Sequence, residues 1–169
     1  MSFSVATPPS ATVFVVGISE MKASSRAAET LITYSLGSCV GLALYDPAAQ
    51  LGGLIHCLLP QSSIDPAKAQ RQPCMFVDSG VGLLLNTLFA AGAQRRRLVA
   101  KAAGGANVLD DGGLFKIGER NVTMLRRMLW KNEILLAGED LGGTKARTLS
   151  LEMSSGRTRV RSIGEQVDL

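Results

Sequence analysis

The 169-residue sequence predicts a layered α/β domain in which a mixed β-sheet is covered by helices. Three observations lead to this prediction. Short β-rich apolar runs outnumber two amphipathic helices, helix and strand alternate in the second half of the chain, and no internal repeat or linker divides it. We therefore expect a flexible N-terminus over residues 1–11 and a single domain over residues 12–169.

The first half of the chain is predicted to consist mainly of strands. Asp46-Pro47 and Gly52-Gly53 lie between two of the apolar runs and are typical of a hairpin-like connection, so we expect those two strands to be neighbours. After Pro60 the polar residues 61–73 are interpreted as a surface loop that borders a site. The predicted strands cover residues 13–18, 30–35, 39–45 and 54–59.

The second half alternates between helix and strand. Apolar residues recur at helical spacing over residues 75–91, where Gly92 supplies a C-terminal stop, and again over residues 119–131. Strands are predicted at residues 97–103, 134–137, 147–153 and 158–162. The paired glycines at 104–105 and 142–143 are typical of turns at strand ends.

Composition limits the classes of function. A hydrophobic fraction of 46% and a formal net charge of +4 describe an ordinary folded protein, without the basic and aromatic surface of a nucleic-acid-binding protein. The longest apolar stretch, residues 81–93, is too short and too interrupted for membrane insertion, and the first ten residues do not resemble a secretory signal. Three cysteines without a CxxC pair favour a reducing cytoplasm over a disulfide framework.

The candidate chemistry centres on Cys39 and on His56, the single histidine of the chain. A cysteine nucleophile needs a nearby base at neutral pH, and His56 follows Cys39 by 17 residues on the next predicted strand. A hairpin would bring the two side chains to one end of the sheet as a thiolate–imidazolium pair. Thr33, on the preceding strand, is a candidate to orient the imidazole. Gly37-Ser38 allows a sharp turn that would direct backbone N–H groups at an oxyanion.

Other interpretations of these residues remain open at this point. Cys39 alone is commonly a small core residue, and a lone histidine is commonly structural. Cys57, next to His56, would lie on the opposite face of its strand and belong to the core, and Cys74 has no evident partner. A zinc site made from the three cysteines and His56 would need ligands from opposite faces of one strand, so no metal is expected.

Several motifs resemble those of the chemoreceptor glutamine deamidases, the CheD family, in the expected order over roughly residues 12–162. The N-terminal set is Thr33, LGSC ending at Cys39, YDP at 45–47, GGLIH ending at His56, and LLP at 58–60. The downstream set is KAAGGA at 101–106, IGERN at 117–121, and LAGEDLGG at 136–143 followed by Arg147.

The resemblance implies an enzyme that converts particular glutamines on the cytoplasmic helices of methyl-accepting chemotaxis receptors into glutamates, with release of ammonia. The implied fold is an α/β/α sandwich similar to the catalytic domain of cytotoxic necrotizing toxins. In this interpretation Cys39 attacks the carboxamide, His56 activates it and then protonates the departing ammonia, and Thr33 orients His56. The N–H of Ser38 or Cys39 is a candidate oxyanion donor, and no metal or organic cofactor is required.

The resemblance also implies a protein partner, a CheC-type phosphatase of the response regulator. Two other classes of function remain compatible with the same residues. One is a hydrolase that uses the pair on receptor methyl esters or another small substrate. The other is a non-catalytic adaptor that binds chemoreceptors or the phosphatase.

Overall fold

A computed structural model describes residues 10–107 and 115–169, and residues 1–9 of the predicted flexible N-terminus lie outside this range. Within the described residues, ten strands form two five-stranded mixed sheets. The strands are β1 Thr12–Val15, β2 Met21–Ser24, β3 Glu29–Leu36, β4 Val40–Asp46, β5 Leu51–Cys57, β6 Val99–Gly104, β7 Leu136–Leu141, β8 Arg147–Glu152, β9 Thr158–Ser162 and β10 Glu165–Asp168.

The two sheets have different neighbours. The central sheet, in the order β2-β5-β4-β6-β7, packs one face against helices and the other against the outer sheet, in the order β1-β3-β8-β9-β10. The α-helices in the described residues are α1 Pro66–Arg71, α2 Val77–Ala90 and α3 Ile117–Lys131. The predicted layered α/β class is confirmed. In place of the α/β/α order that the resemblance implies, α2 and α3 cover one face of the central sheet and the outer sheet covers the other.

Each face of the central sheet contributes to a separate core. Leu42 and Ile55 pack with α2 and α3, whereas Ala43 and Leu54 pack with the outer sheet. Because both faces are covered, β4 and β5 are buried along their whole length and their sequences do not alternate. In the outer sheet, β8 alternates between buried and partly exposed residues, as expected of a strand with one face near solvent.

The predicted hairpin of neighbouring strands is confirmed, because β4 pairs antiparallel with β5 along the register Val40↔Cys57 to Asp46↔Leu51. Its turn differs from the prediction. Gly52-Gly53 lies inside β5, so the turn is confined to residues 47–50. At this end of the hairpin, Asp46 is buried and accepts hydrogen bonds from the Arg97 guanidinium. Burial raises the pKa of the Asp46 carboxyl, but its hydrogen bonds outweigh this effect and lower the pKa to about 2.

Three elements were not expected from the sequence. β2 and β10 are short edge strands, and α1 lies within residues 61–73, which were predicted to be a loop. α1 begins after Asp65, whose side chain accepts a hydrogen bond from the N–H of Lys68 at 3.0 Å. Among the described residues, no helix is long and apolar enough to cross a membrane.

Candidate active site

Cys39 and His56 lie on the face of the central sheet that packs against the outer sheet. Gly41 is directly opposite His56 in the β4–β5 ladder, and Cys39 precedes Gly41 by two residues. His56 shares its face of β5 with Leu54, because alternate residues of a strand share a face. Cys39 lies just before β4 and packs in the same core as Leu54, so both side chains are on this side of the central sheet. The side chain of Cys39 is 7% exposed and that of His56 is 0% exposed.

Thr33 fixes the protonation of the His56 ring. Its Oγ1 lies 2.7 Å from His56 Nδ1 and donates its only proton to the backbone carbonyl of Val16, also at 2.7 Å. A carbonyl can only accept, so Thr33 Oγ1 must accept from His56, and Nδ1 therefore carries the ring proton. Nε2 is left with a free lone pair, and it is buried without a hydrogen-bond partner among the described residues.

The backbone of His56 is also held in place, by the residues that lead into β2. The N–H of His56 donates to the carbonyl of Glu20 at 3.0 Å, and its carbonyl accepts from the N–H of Ser19 at 2.9 Å. Together with the Thr33 hydroxyl, these bonds fix both the position of the residue and the plane of the ring.

Burial shifts the pKa values of both members of the pair in the directions that favour their neutral forms. Burial lowers the pKa of His56 to about 4. Burial also raises the pKa of the Cys39 thiol, and a hydrogen bond from the backbone N–H of Cys39 only partly opposes this shift. This differs from the thiolate–imidazolium pair expected from the sequence. The physical reason is that a charged pair would lose more solvation in this buried site than an exposed pair would.

The loop that carries Cys39 is anchored through three consecutive carbonyls. β3 loses its regular register with β8 between Thr33 and Leu36, and Ser35 adopts a left-handed conformation with φ 58°, which turns the chain. The carbonyls of Gly37, Ser38 and Cys39 accept hydrogen bonds from, respectively, the Ala106 N–H (2.8 Å), the Asn121 side-chain amide (2.9 Å) and the Gly105 N–H (2.8 Å).

The anchored carbonyls determine where the intervening N–H groups point. In a planar trans peptide, the carbonyl of one residue and the N–H of the next lie on opposite sides. The N–H groups of Ser38 and Cys39 are therefore directed away from Ala106 and Asn121. The N–H of Cys39 bonds its own sulfur, and within the described residues neither N–H donates to a carbonyl or side-chain oxygen. Such N–H groups are suited to bind an oxyanion.

Gly104 lets β6 approach this loop closely. Its φ is +110°, and a Cβ at this position would overlap the carbonyl oxygen of Cys39. The Gly104 carbonyl accepts a hydrogen bond from the N–H of Gly142 at 2.9 Å. The turn role predicted for the two glycine pairs agrees with their positive φ values. The first pair additionally supports the loop that carries the candidate nucleophile.

Asn121 also belongs to this site, and in the sequence it is the last residue of the IGERN motif. It lies on α3, is 0% exposed, and donates from Nδ2 to the carbonyls of Ser38 (2.9 Å) and Leu58 (3.0 Å). The sequence held a signal for it. Asn121 precedes Leu125 by four residues, so a polar residue occupies the apolar stripe of an amphipathic helix.

Cys57 and Cys74 lie apart from Cys39. Both belong to the core between the central sheet and the helices, whereas Cys39 belongs to the core between the two sheets. Burial raises the pKa of Cys57 well above its usual value. His56 and Cys57 therefore point to opposite faces of β5, as the sequence predicted. In the part of the chain that the structure describes, no three His, Cys, Asp or Glu residues form a group that could hold a metal.

A basic cleft of about 410 Å³ lies between α3 and the segment that follows β5. Pro60 and Gln61 form one side, and Lys116, Arg120 and Arg127 are among the residues of the other side. Pro60 follows Leu58, whose carbonyl is bound by Asn121. The cleft therefore adjoins the segment of chain that leads away from His56.

Comparisons with known proteins agree with the motifs. The family model described as CheD chemotactic sensory transduction matches residues 58–162. A probable chemoreceptor glutamine deamidase CheD of Solibacter usitatus is 47% identical over 155 residues, which cover 92% of each chain. A relative of the same description from Syntrophus aciditrophicus is 45% identical over 89% of this chain and 94% of its own. A more distant likeness, at 10% identity and a TM-score of 0.45, covers 78% of this chain and 62% of a Neisseria meningitidis crystal structure. The chain belongs to the CheD family.

Proposed function

We propose that this protein is a chemoreceptor glutamine deamidase in which Cys39 is the nucleophile, His56 the general base and acid, and Thr33 the residue that orients His56. One observation carries the assignment of roles. The Thr33 hydroxyl fixes the His56 tautomer with Nε2 unprotonated, on the sheet face that also holds Cys39. The deamidase names of the Solibacter and Syntrophus relatives support the choice of reaction.

In the first half-reaction, Cys39 Sγ attacks the carboxamide carbon of a glutamine side chain. His56 Nε2 removes the thiol proton as the S–C bond forms, because the neutral thiol is a weak nucleophile. The imidazolium then gives this proton to the nitrogen of the tetrahedral intermediate. The C–N bond breaks, ammonia leaves, and a thioester remains on Cys39.

In the second half-reaction, water attacks the thioester carbon while His56 Nε2 takes a proton from it. The C–S bond breaks, the sulfur regains the proton from the imidazolium, and the glutamine has become a glutamate. Both half-reactions pass through a tetrahedral oxyanion. We assign the N–H groups of Ser38 and Cys39 as its donors, on the basis of the anchored carbonyls that direct them.

The function is tested by peptide mass spectrometry of a chemoreceptor cytoplasmic fragment after incubation with the protein. We expect particular glutamines to be converted into glutamates. A matched fragment carrying glutamate methyl esters separates deamidation from ester hydrolysis. Binding of the fragment without any conversion would overturn the proposal in favour of an adaptor.

The proposal includes chemoreceptors as substrates and a cytoplasmic location, because the target glutamines lie on the cytoplasmic helices of the receptors. The three cysteines are free, which agrees with a reducing compartment. A CheC-type phosphatase as partner stays a prediction. Mixing the two purified proteins and testing whether they elute together would test it.

Removal of the Thr33 hydroxyl should slow the reaction without abolishing it. Thr33→Val keeps the shape of the side chain but leaves the Nδ1 proton of His56 without an acceptor, which frees the ring to turn. We expect kcat/KM to fall about 100-fold, a loss typical of a misplaced catalytic group. Thr33→Ser keeps the hydroxyl and should recover most of the activity in the same deamidation assay. Equal loss in both variants would contradict an orienting role.

The pH profile should reflect the low pKa of His56. The base is neutral above a pKa of about 4, so kcat/KM should fall only as the pH drops towards this value.

The stability of the protein should also decrease as the pH drops. In the unfolded chain the pKa is near its ordinary value of 6.5. The unfolded state therefore binds the proton first, and the free energy of unfolding should fall by about 3 kcal/mol between these two pH values. Rate measurements and urea unfolding over this range test both statements, and an activity midpoint near 6.5 would contradict them.

A further inference from the structure

Asn121 joins the two segments of chain that carry the candidate catalytic residues. Its Nδ2 supplies one proton to the carbonyl of Ser38, next to Cys39, and the other to the carbonyl of Leu58, two residues after His56. These two bonds use both protons of the amide, which also fixes the orientation of the side chain. One buried side chain on α3 therefore connects the nucleophile loop to the end of β5.

The bond to Ser38 has a directional consequence. It holds the carbonyl of the Ser38–Cys39 peptide towards α3, so the N–H of Cys39 is directed to the other side of the peptide plane. The Ser38 carbonyl accepts no other hydrogen bond from the described residues. Without the bond from Asn121, the Ser38–Cys39 peptide would therefore be free to rotate. Rotation would remove an N–H from the oxyanion site and place a carbonyl oxygen there.

The helix is positioned for this contact. A Cβ at Gly118, one turn before Asn121, would lie 2.5 Å from the carbonyl oxygen of Ala106. A glycine there allows α3 to approach closely enough for a side chain as short as asparagine to reach both carbonyls. Asn121 Oδ1, in contrast, is buried without a hydrogen-bond partner among the described residues. An unpaired buried acceptor is unfavourable, so the role of the residue lies in its two donors.

From these observations, we propose that Asn121 is a positioning residue that holds the oxyanion-binding N–H of Cys39 in its productive orientation. This inference rests on the proposed function. Because an oxyanion exists only after the attack, the loss of Asn121 should reduce the rate of deamidation rather than the binding of substrate.

The test compares two reactions of the same cysteine in wild type and Asn121→Leu, a replacement of similar size without donors. Deamidation of the chemoreceptor fragment passes through an oxyanion, whereas alkylation of Cys39 by iodoacetamide does not. We expect kcat for deamidation to fall about 100-fold, the loss typical of one oxyanion donor, with KM and the alkylation rate unchanged. Peptide mass spectrometry distinguishes alkylation at Cys39 from that at the other cysteines.

Asn132→Leu is the matched control, because Asn132 donates from Nδ2 to the carbonyl of Met128 at the far end of the same helix. It should keep the wild-type kcat. Unchanged kcat in Asn121→Leu would overturn the inference. A fall in kcat together with a changed alkylation rate would also overturn it, because slower alkylation indicates an effect on the thiol itself and faster alkylation indicates a loss of structure that exposes the buried Cys39. An inactive wild type would instead count against the proposed function, on which the inference depends.

If Asn121→Leu does not fold, Asn121→Asp provides the second test. A buried carboxylate facing two carbonyls has a raised pKa and can donate only in its protonated form. We expect kcat to be low at pH 8 and to recover in part at pH 6. Wild-type kcat at pH 8 would overturn the inference.

Discussion

Cys39→Ala is expected to reduce ammonia release from a chemoreceptor fragment to the rate without enzyme, with the fold unchanged. In the proposed mechanism the sulfur forms the covalent bond in both half-reactions, so its removal would leave no nucleophile. A loss of at least about 10⁴-fold in kcat is typical of such a deletion. The side chain is small, and its truncation should cost only about 1 kcal/mol of stability. The measurement combines the ammonia assay with urea unfolding of both proteins.

Cys74→Ala is the matched control for this variant. Cys74 is as buried as Cys39, at 8% and 7% exposed respectively, but lies in the core on the helical side of the central sheet. It should keep full activity. Activity retained by Cys39→Ala would rule out Cys39 as the nucleophile. Activity lost in the control would show that truncation of a buried cysteine is itself enough to abolish activity.

The second large effect is expected for His56→Ala. His56 is the only histidine of the chain, so no other imidazole can take its place. Without a base, the thiol proton has no acceptor in the buried site, and kcat at pH 7 should fall by about 10³-fold or more, within the range typical of general base catalysis plus positioning. The measurement is the same ammonia assay, extended over pH.

The remaining activity of His56→Ala should identify the lost role. Attack then requires the free thiolate, whose fraction rises about tenfold per pH unit below the thiol pKa. Because burial raises that pKa, the residual rate should continue to rise through pH 9, whereas wild type should be flat. A residual rate that does not change with pH would show that His56 acts only through structure.

The sequence predicted the elements whose pattern is local and strong. The runs that became β4 and β5 are apolar along their length, and α2 and α3 have helical spacing with identifiable ends. β2 and β10 were missed because the segments MKAS and EQVD are short and polar, and their strand conformation depends on pairing with β5 and β9. α1 was missed although the Asp65-Pro66 pair is a typical helix start.

The site was partly accessible from the sequence. Cys39, His56 and Thr33 could be selected because the chain has one histidine and a hairpin that brings it near a cysteine. The neutral state of the pair could not be predicted, since it results from burial between two sheets, and the outer sheet comes largely from later segments of the chain. Asn121 was visible as a polar residue in an apolar stripe, but its partners became apparent only when α3 was placed against Ser38 and Leu58.

The neutral resting state of the Cys39–His56 pair should protect the Cys39 thiol from oxidation by peroxides. Peroxides oxidise thiolates far more readily than thiols, and sulfenic acid formation therefore depends on the thiolate fraction and on access. Cys39 is buried, and its pKa is raised rather than lowered. In the proposed mechanism, the thiol gives its proton to His56 only as it attacks a bound carboxamide. We therefore expect the idle enzyme to tolerate oxidants that inactivate proteins with a permanently ionised cysteine.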